Sequence, residues 1–277
     1  MRLGGRVYGD VSTPEKWIAA VKAKGFRAAL CPLAADADDA SVRDYASAAR
    51  AADIVIAETG AWSNPLVSND AERAAAFEKC TSQLALAERV GARCCVNIAG
   101  SRGAKWDGPD EKNLTGETFD MIVEVVRTII DTVKPARTFY TLEPMPWIYP
   151  DSAESYERLL KAIDRERFAV HFDPVNLVSS VARYYDTAGL VRDFVARLGP
   201  RIKSVHAKDI ILRDELTTHL DEVRPGLGGF DYPAFLREID KLDPDMPLLL
   251  EHLPNEAEYD AAAAHVRGVA EREGIAL

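Results

Sequence analysis

Four residues in the second half of the chain have types and spacing that suit a divalent metal ion. Glu143, Asp173, His206 and Glu251 are separated by 30, 33 and 45 residues, and each stands at or near the end of a short apolar run. The runs are Thr138–Glu143, Ala169–Asp173, Val205–Asp209 and Leu248–His252. Taken singly, each has an ordinary structural reading: a loop carboxylate before Pro144, a turn or helix cap before Pro174, a core histidine, half of an ion pair. Their occurrence at the same end of four successive runs points instead to one pocket. Three carboxylates and an imidazole gathered there repel and desolvate one another unless a cation sits among them. Three oxygens and one nitrogen suit a single Mn²⁺, the expected ion, with Mg²⁺, Co²⁺ or Zn²⁺ as alternatives.

The elements that must carry these residues follow from hydrophobic period. Eight β-rich runs are expected as strands: Leu3–Gly9, Phe26–Leu33, Asp53–Glu58, Ala92–Ala99, Thr138–Glu143, Phe168–Asp173, Ile202–Lys208 and Pro247–Leu253. Several are apolar without alternation, which suits strands covered on both faces. Helices are expected from Ser12-Thr13-Pro14, over Asp70–Val90 with Gly91 closing it, over Gly116–Val133, from Ser152, and over Ala188–Leu198, Tyr232–Leu242 and Glu256–Glu273. Alternating strands and helices imply a parallel sheet. Eight units with a helix last predict one (β/α)₈ TIM barrel domain over residues 1–277, with no Gly-x-Gly-x-x-Gly after the first strand to suggest a nucleotide-binding sheet. In such a barrel the active site lies at the carboxyl ends of the strands, where the four residues fall.

Composition narrows the function. The 277 residues carry 44 acidic and 34 basic side chains, a formal charge of −10 that disfavours a nucleic-acid substrate. No apolar run is long enough for a membrane span and the N-terminus has no signal-peptide core, so no membrane association and a cytoplasmic location are expected. Cys31, Cys80, Cys94 and Cys95 lack the spacing of zinc or redox motifs and read as inert thiols.

With these residues in view, the chain resembles the sugar isomerase/epimerase barrels of the xylose-isomerase-like, endonuclease-IV-like superfamily, which includes ketose 3-epimerases and inosose dehydratases. The segments Ala61–Leu66, His171–Asn176 and Val205–Asp209 carry the likeness together with the metal quartet, and it extends over nearly the whole chain. The resemblance implies that Glu143, Asp173, His206 and Glu251 bind one metal and that Glu143 and Glu251 exchange acid and base roles on opposite faces of the substrate. It also implies a dimer or tetramer. Two positions depart from the epimerase pattern. Asn176 stands where a substrate-contacting His is common, and Ala207-Lys208-Asp209 follows His206 where a Gly-Glu pair or similar is usual.

The expected chemistry is proton abstraction beside the carbonyl of a small sugar or keto-sugar, through a metal-stabilised enediolate, giving epimerisation or isomerisation. A lyase on the same scaffold, expelling water or a glycosidic leaving group, is the runner-up, followed by a non-catalytic sugar-binding barrel. An abasic-site endonuclease, needing three metals and many more His and Asp ligands, is disfavoured. Around the quartet, His171, Asn176, Lys208, Trp62, Asn97, Arg213 and His252 are expected to meet substrate, with Glu58 and Trp147 as further pocket residues. His171 also reads as an interior imidazole supporting Asp173, and Lys208 as a strand-end ion pair. The loop Arg224–Gly229 reads as a flexible rim.

Overall fold

A computed structural model describes all residues 1–277. Eight strands close into a parallel barrel: β1 (Arg2–Gly5), β2 (Ala28–Leu30), β3 (Val55–Gly60), β4 (Cys94–Asn97), β5 (Phe139–Leu142), β6 (Phe168–Phe172), β7 (Ile202–Ala207) and, after the two-stranded hairpin β8 (Asp209–Leu212) and β9 (Leu220–Val223), β10 (Pro247–Leu250). Strand β10 pairs with both β7 and β1, completing the ring. All eight expected strands are present, seven of them shorter than their apolar runs because the ladder stops before the apolar residues do, while β3 keeps its length but starts two residues later and runs on to Gly60. In the first, Val7 and Tyr8 pack on the core from the loop after β1.

The helices are α1 (Pro14–Ala23), α2 (Asp39–Ala51), α3 (Asp70–Val90), α4 (Gly116–Val133), α5 (Ala153–Ile163), α6 (Val181–Tyr184), α7 (Thr187–Leu198), α8 (Tyr232–Asp240) and α9 (Glu256–Glu273). Side-chain oxygens of Thr13, Asp38, Asn69, Thr115, Ser152, Asp231 and Asn255 each accept a first-turn N–H, which fixes where a helix begins after its loop. Helix α2 is an addition to the expected set. Its buried face is only Val42, Tyr45 and Ala49, a stripe too thin to stand out among alanines and acids.

One continuous cluster of buried apolar residues links the barrel wall to the inner helix faces. Backbone approach in the wall is close: a Cβ on Gly4 would lie 2.3 Å from the Ala28 carbonyl oxygen, so β1 and β2 admit nothing larger there. The hairpin β8–β9 was not expected, nor was the order in the glycine loop beyond it. Buried Asp209 accepts N–H bonds from Ile210, Gly226, Gly228 and Phe230 at 2.8–3.0 Å, so the expected flexible rim is pinned to the first residue of β8. A Cβ at Gly228 would sit 2.3 Å from Asp209 Oδ1, which accounts for the glycine. No helix is long and apolar enough to cross a membrane.

Candidate metal centre

Glu143, Asp173 and Glu251 each follow the last residue of β5, β6 and β10, while His206 is the penultimate residue of β7. Parallel pairing with matched register brings these four strand ends to one rim, and one ligand atom from each residue lies within 4.8 Å of the others. His206 Nδ1 is 3.0 Å from Glu251 Oε2 and 3.6 Å from both Glu143 Oε2 and Asp173 Oδ2. The set is deeply buried, with only Glu251 partly open to solvent.

Each ligand is held from behind. Asp173 Oδ1 accepts the N–H groups of Val175 and Asn176, so this oxygen does cap the turn after β6, while Oδ2 points into the pocket. The amide of Asn176 donates to Glu143 Oε1 at 2.7 Å, so the residue expected to meet substrate positions a ligand glutamate. The phenol of Tyr156 donates to the Leu142 carbonyl and accepts the Leu142 and His171 N–H groups, tying the end of β5 to β6.

Asp173 Oδ2, His206 Nδ1 and Glu251 Oε2 are buried in no well-aligned hydrogen bond, with only ion-pair contacts to one another and to Lys208. Unsatisfied anionic and imidazole donors converging on one point are the donor set a hard or borderline divalent cation needs, so the residues fit such an ion. Lys208, 1% exposed, brings its ammonium to 2.7 Å from Asp173 Oδ2, 2.9 Å from Glu251 Oε2 and 3.6 Å from Glu143 Oε1. It is therefore the internal counter-charge of the cluster, the expected ion pair drawn to the centre of the site.

These charges split the glutamates. Burial, with Glu251 and Asp173 adding to it, pushes Glu143 up to about 8 against the pull of Lys208 and His206. For Glu251, burial pushes upward too, but His206 and Lys208 overcome it and hold the carboxyl well below its ordinary range. The same cluster of charges thus pushes the two carboxyls in opposite directions.

Behind His206 lies a second buried group. Glu58, 2% exposed in β3, has Oε1 at 3.1 Å from His206 Nε2 and Oε2 at 3.4 Å from His171 Nε2. The two imidazole rings meet edge to face at 4.1 Å. Burial notwithstanding, His206 and His171 hold Glu58 down at about 2. His171 thus shares the interior with Asp173, as strand alternation requires, but faces Glu58.

The remaining expected residues separate. Trp62 lines a cavity of about 250 Å³ with Leu30, Leu33, Glu58, Gln83 and Glu251, beside the quartet. Its indole lies so close to Gly60 that a Cβ there would be 2.1 Å from Nε1. Asn97 does not meet this cavity: its amide bonds to Ser63, Tyr140 and Cys80 inside the wall, because it is fully enclosed. Arg213 pairs with Asp221 across the exposed hairpin at 2.8 Å, and Trp147 donates to the Asp107 carbonyl. At His252 the backbone turns left-handed, φ 57°, carrying the side chain out to Glu222 at 3.1 Å, where it still touches the rim through Glu251 at 3.4 Å. The role of Glu58 and the presence of Glu222, 3.8 Å from Lys208, are the features sequence reasoning missed. For Glu58 a signal existed, an acid in a strand covered on both faces; for Glu222, on an unforeseen hairpin, there was none.

A larger cavity, about 760 Å³, lies at the other end of the barrel among Arg50, Arg93, Arg137, Phe139, Lys203 and Asp243. It has none of the converging donors that mark the smaller one.

Residues 18–269 match the family described as xylose isomerase-like TIM barrel. The chain belongs to this family. No curated protein sequence matches it. Solved structures of similar fold include the probable 3-DHS dehydratase AsbF of Bacillus anthracis, with TM-score 0.70 and 17% identity over 95% of each chain. The D-psicose 3-epimerase of Clostridium cellulolyticum H10, solved with D-tagatose, gives TM-score 0.67 and 13% identity over 100% of each chain. A xylose isomerase-like TIM barrel protein of Mycobacterium smegmatis, in complex with magnesium, gives 0.66 and 15% over 97% of this chain and 92% of that one. Identities this low establish the shared fold, and enzymes of more than one reaction type are built on it.

Proposed function

We propose that this barrel is a divalent-metal-dependent enzyme that removes a proton next to the carbonyl of a small sugar or keto-sugar, with epimerisation or isomerisation as the outcome. The observation that carries this reading is the convergence of Glu143, Asp173, His206 and Glu251 on one point, with three of their donor atoms in no well-aligned hydrogen bond. These four side chains would hold the ion, Mn²⁺ in the first instance, and the ion would supply Lewis-acid polarisation of the carbonyl.

The chain's own residues account for the rest. Glu251, held ionised and open on one side to the Trp62 cavity, takes the proton from carbon. Glu143, fixed by Asn176 on another side of the cluster, is the second carboxylate through which a proton returns. Return at the same carbon on the opposite face inverts it; return at the former carbonyl carbon isomerises the sugar. Trp62 offers an aromatic face to sugar C–H groups, and the buried wall around the quartet keeps water from the carbanion.

A second reading, elimination, is supported by Lys208. Its ammonium sits within 3 Å of two ligand carboxylates, where its charge would steady the departing oxygen while Glu251 passes it the proton taken from carbon, so that the hydroxyl leaves as water when the carbon–oxygen bond breaks.

The test is incubation of the Mn²⁺-loaded protein with ketopentoses, ketohexoses and 3-keto-glycosides in D₂O. Solvent deuterium at a stereocentre of a recovered sugar supports proton transfer, and an unsaturated ketone with loss of water supports elimination. Either activity falls by about 10²–10⁴-fold in Glu143→Gln and Glu251→Gln. Metal binding with no exchange in any substrate would leave a binding barrel.

A further inference from the structure

We propose that Glu58 is a positioning residue for the metal centre, holding the His206 ring so that Nδ1 is presented to the carboxylate cradle. The inference rests on the metal-site reading above and extends it to a residue outside the quartet.

The geometry is a relay through one imidazole. Nδ1 of His206 faces Glu251, Glu143 and Asp173, while Nε2 faces Glu58 Oε1 at 3.1 Å on the opposite edge of the ring. A ring that gives Nδ1 to a metal keeps its proton on Nε2, and that buried proton needs an acceptor. Glu58 is the only carboxylate on that edge. Its second oxygen faces the buried His171 Nε2, which steadies the carboxylate, and the edge-to-face contact of the two rings at 4.1 Å limits rotation of His206.

Burying a carboxylate inside the barrel is unfavourable and calls for a compensating role. A purely structural pairing would serve with any hydrogen-bond acceptor. A positioning role depends on the negative charge, which makes the imidazole a stronger donor to the metal. Three of the groups that would form such an assembly, Glu58, His171 and His206, come from β3, β6 and β7, so the barrel wall itself sets their alignment.

Two measurements test this. In wild-type protein loaded with Zn²⁺ and labelled with ¹⁵N-histidine, one histidine shows a slowly exchanging, downfield Nε2–H with its Nδ1 bound to metal. The isosteric Glu58→Gln variant, titrated calorimetrically from the metal-free state with Mn²⁺, binds about 10–100-fold more weakly while its unfolding midpoint without metal stays near wild type. Equal affinity in Glu58→Gln, or a His206 bound through Nε2, overturns the proposal and leaves the quartet standing. Two ions per wild-type chain, with one lost in Glu58→Gln, overturns it by making Glu58 a ligand. No ion bound by wild type overturns the metal reading itself, and the inference with it. Should Glu58→Gln fail to fold, the wild-type spectrum decides alone.

Discussion

The two ends of this barrel use the same kinds of side chain to opposite effect. At the amino ends of the strands, charges meet in partly solvated pairs: Arg2 with Asp245, Arg93 with Asp243, Arg137 with Glu88. At the carboxyl ends, Glu58, Glu143, Asp173 and Glu251 are drawn into the interior with His171, His206 and Lys208, and several of their polar atoms are in no well-aligned hydrogen bond. Water screens the first set, so any one pair matters little. In the second, each charge depends on its neighbours, because the surrounding wall supplies no solvent to replace one that is lost. The larger cavity lies at the amino end and the converging side chains at the other, so volume and converging donors mark different places in this barrel.

The contrast is most sharply tested at Lys208. Lys208→Met removes the internal counter-charge, and the metal-free protein is expected to lose about 3–5 kcal/mol in urea unfolding, with most of the loss recovered on saturation with Mn²⁺. An unchanged midpoint without metal would mean the cluster is not held together by that ammonium. A smaller effect is expected at Asp209, whose four N–H contacts belong to the loop and not to the ligands. Asp209→Ala should cost about 1–3 kcal/mol and expose the segment 224–229 to proteolysis, with Mn²⁺ affinity retained. Smallest is Arg93→Ala at the amino end, at most about 1 kcal/mol and less in high salt, since both partners are partly exposed. A drop at Arg93 as large as that at Lys208 would erase the distinction between the two ends.

What the sequence made legible follows the same division. The quartet could be read because each member interrupts an apolar run at its end, where a barrel exposes its chemistry. Asn97 sits at an equivalent strand end yet turns into the wall, since Ser63, Tyr140 and Cys80 offer its amide partners there. Glu58 was expected only as a further pocket residue. Its partners, His171 and His206, lie on β6 and β7, and no local pattern announces a pairing across the barrel interior. The hairpin escaped for a related reason: Asp209–Leu212 is apolar enough for a strand, but its partner Leu220–Val223 is half acidic and pairs only through the turn between them.

Asp209 and Lys208 are chain neighbours that serve opposite sides of the wall, one gripping the loop beyond the hairpin and the other entering the pocket. The excursion between them and β10 is thereby moored at its root, while its tip at Leu216 stands free in solvent. Such a segment can lengthen, shorten or change its side chains over evolutionary time without shifting the register of the strand ends below it. That makes the hairpin the part of this barrel best suited to vary in sequence while the Glu143, Asp173, His206 and Glu251 cluster keeps its geometry.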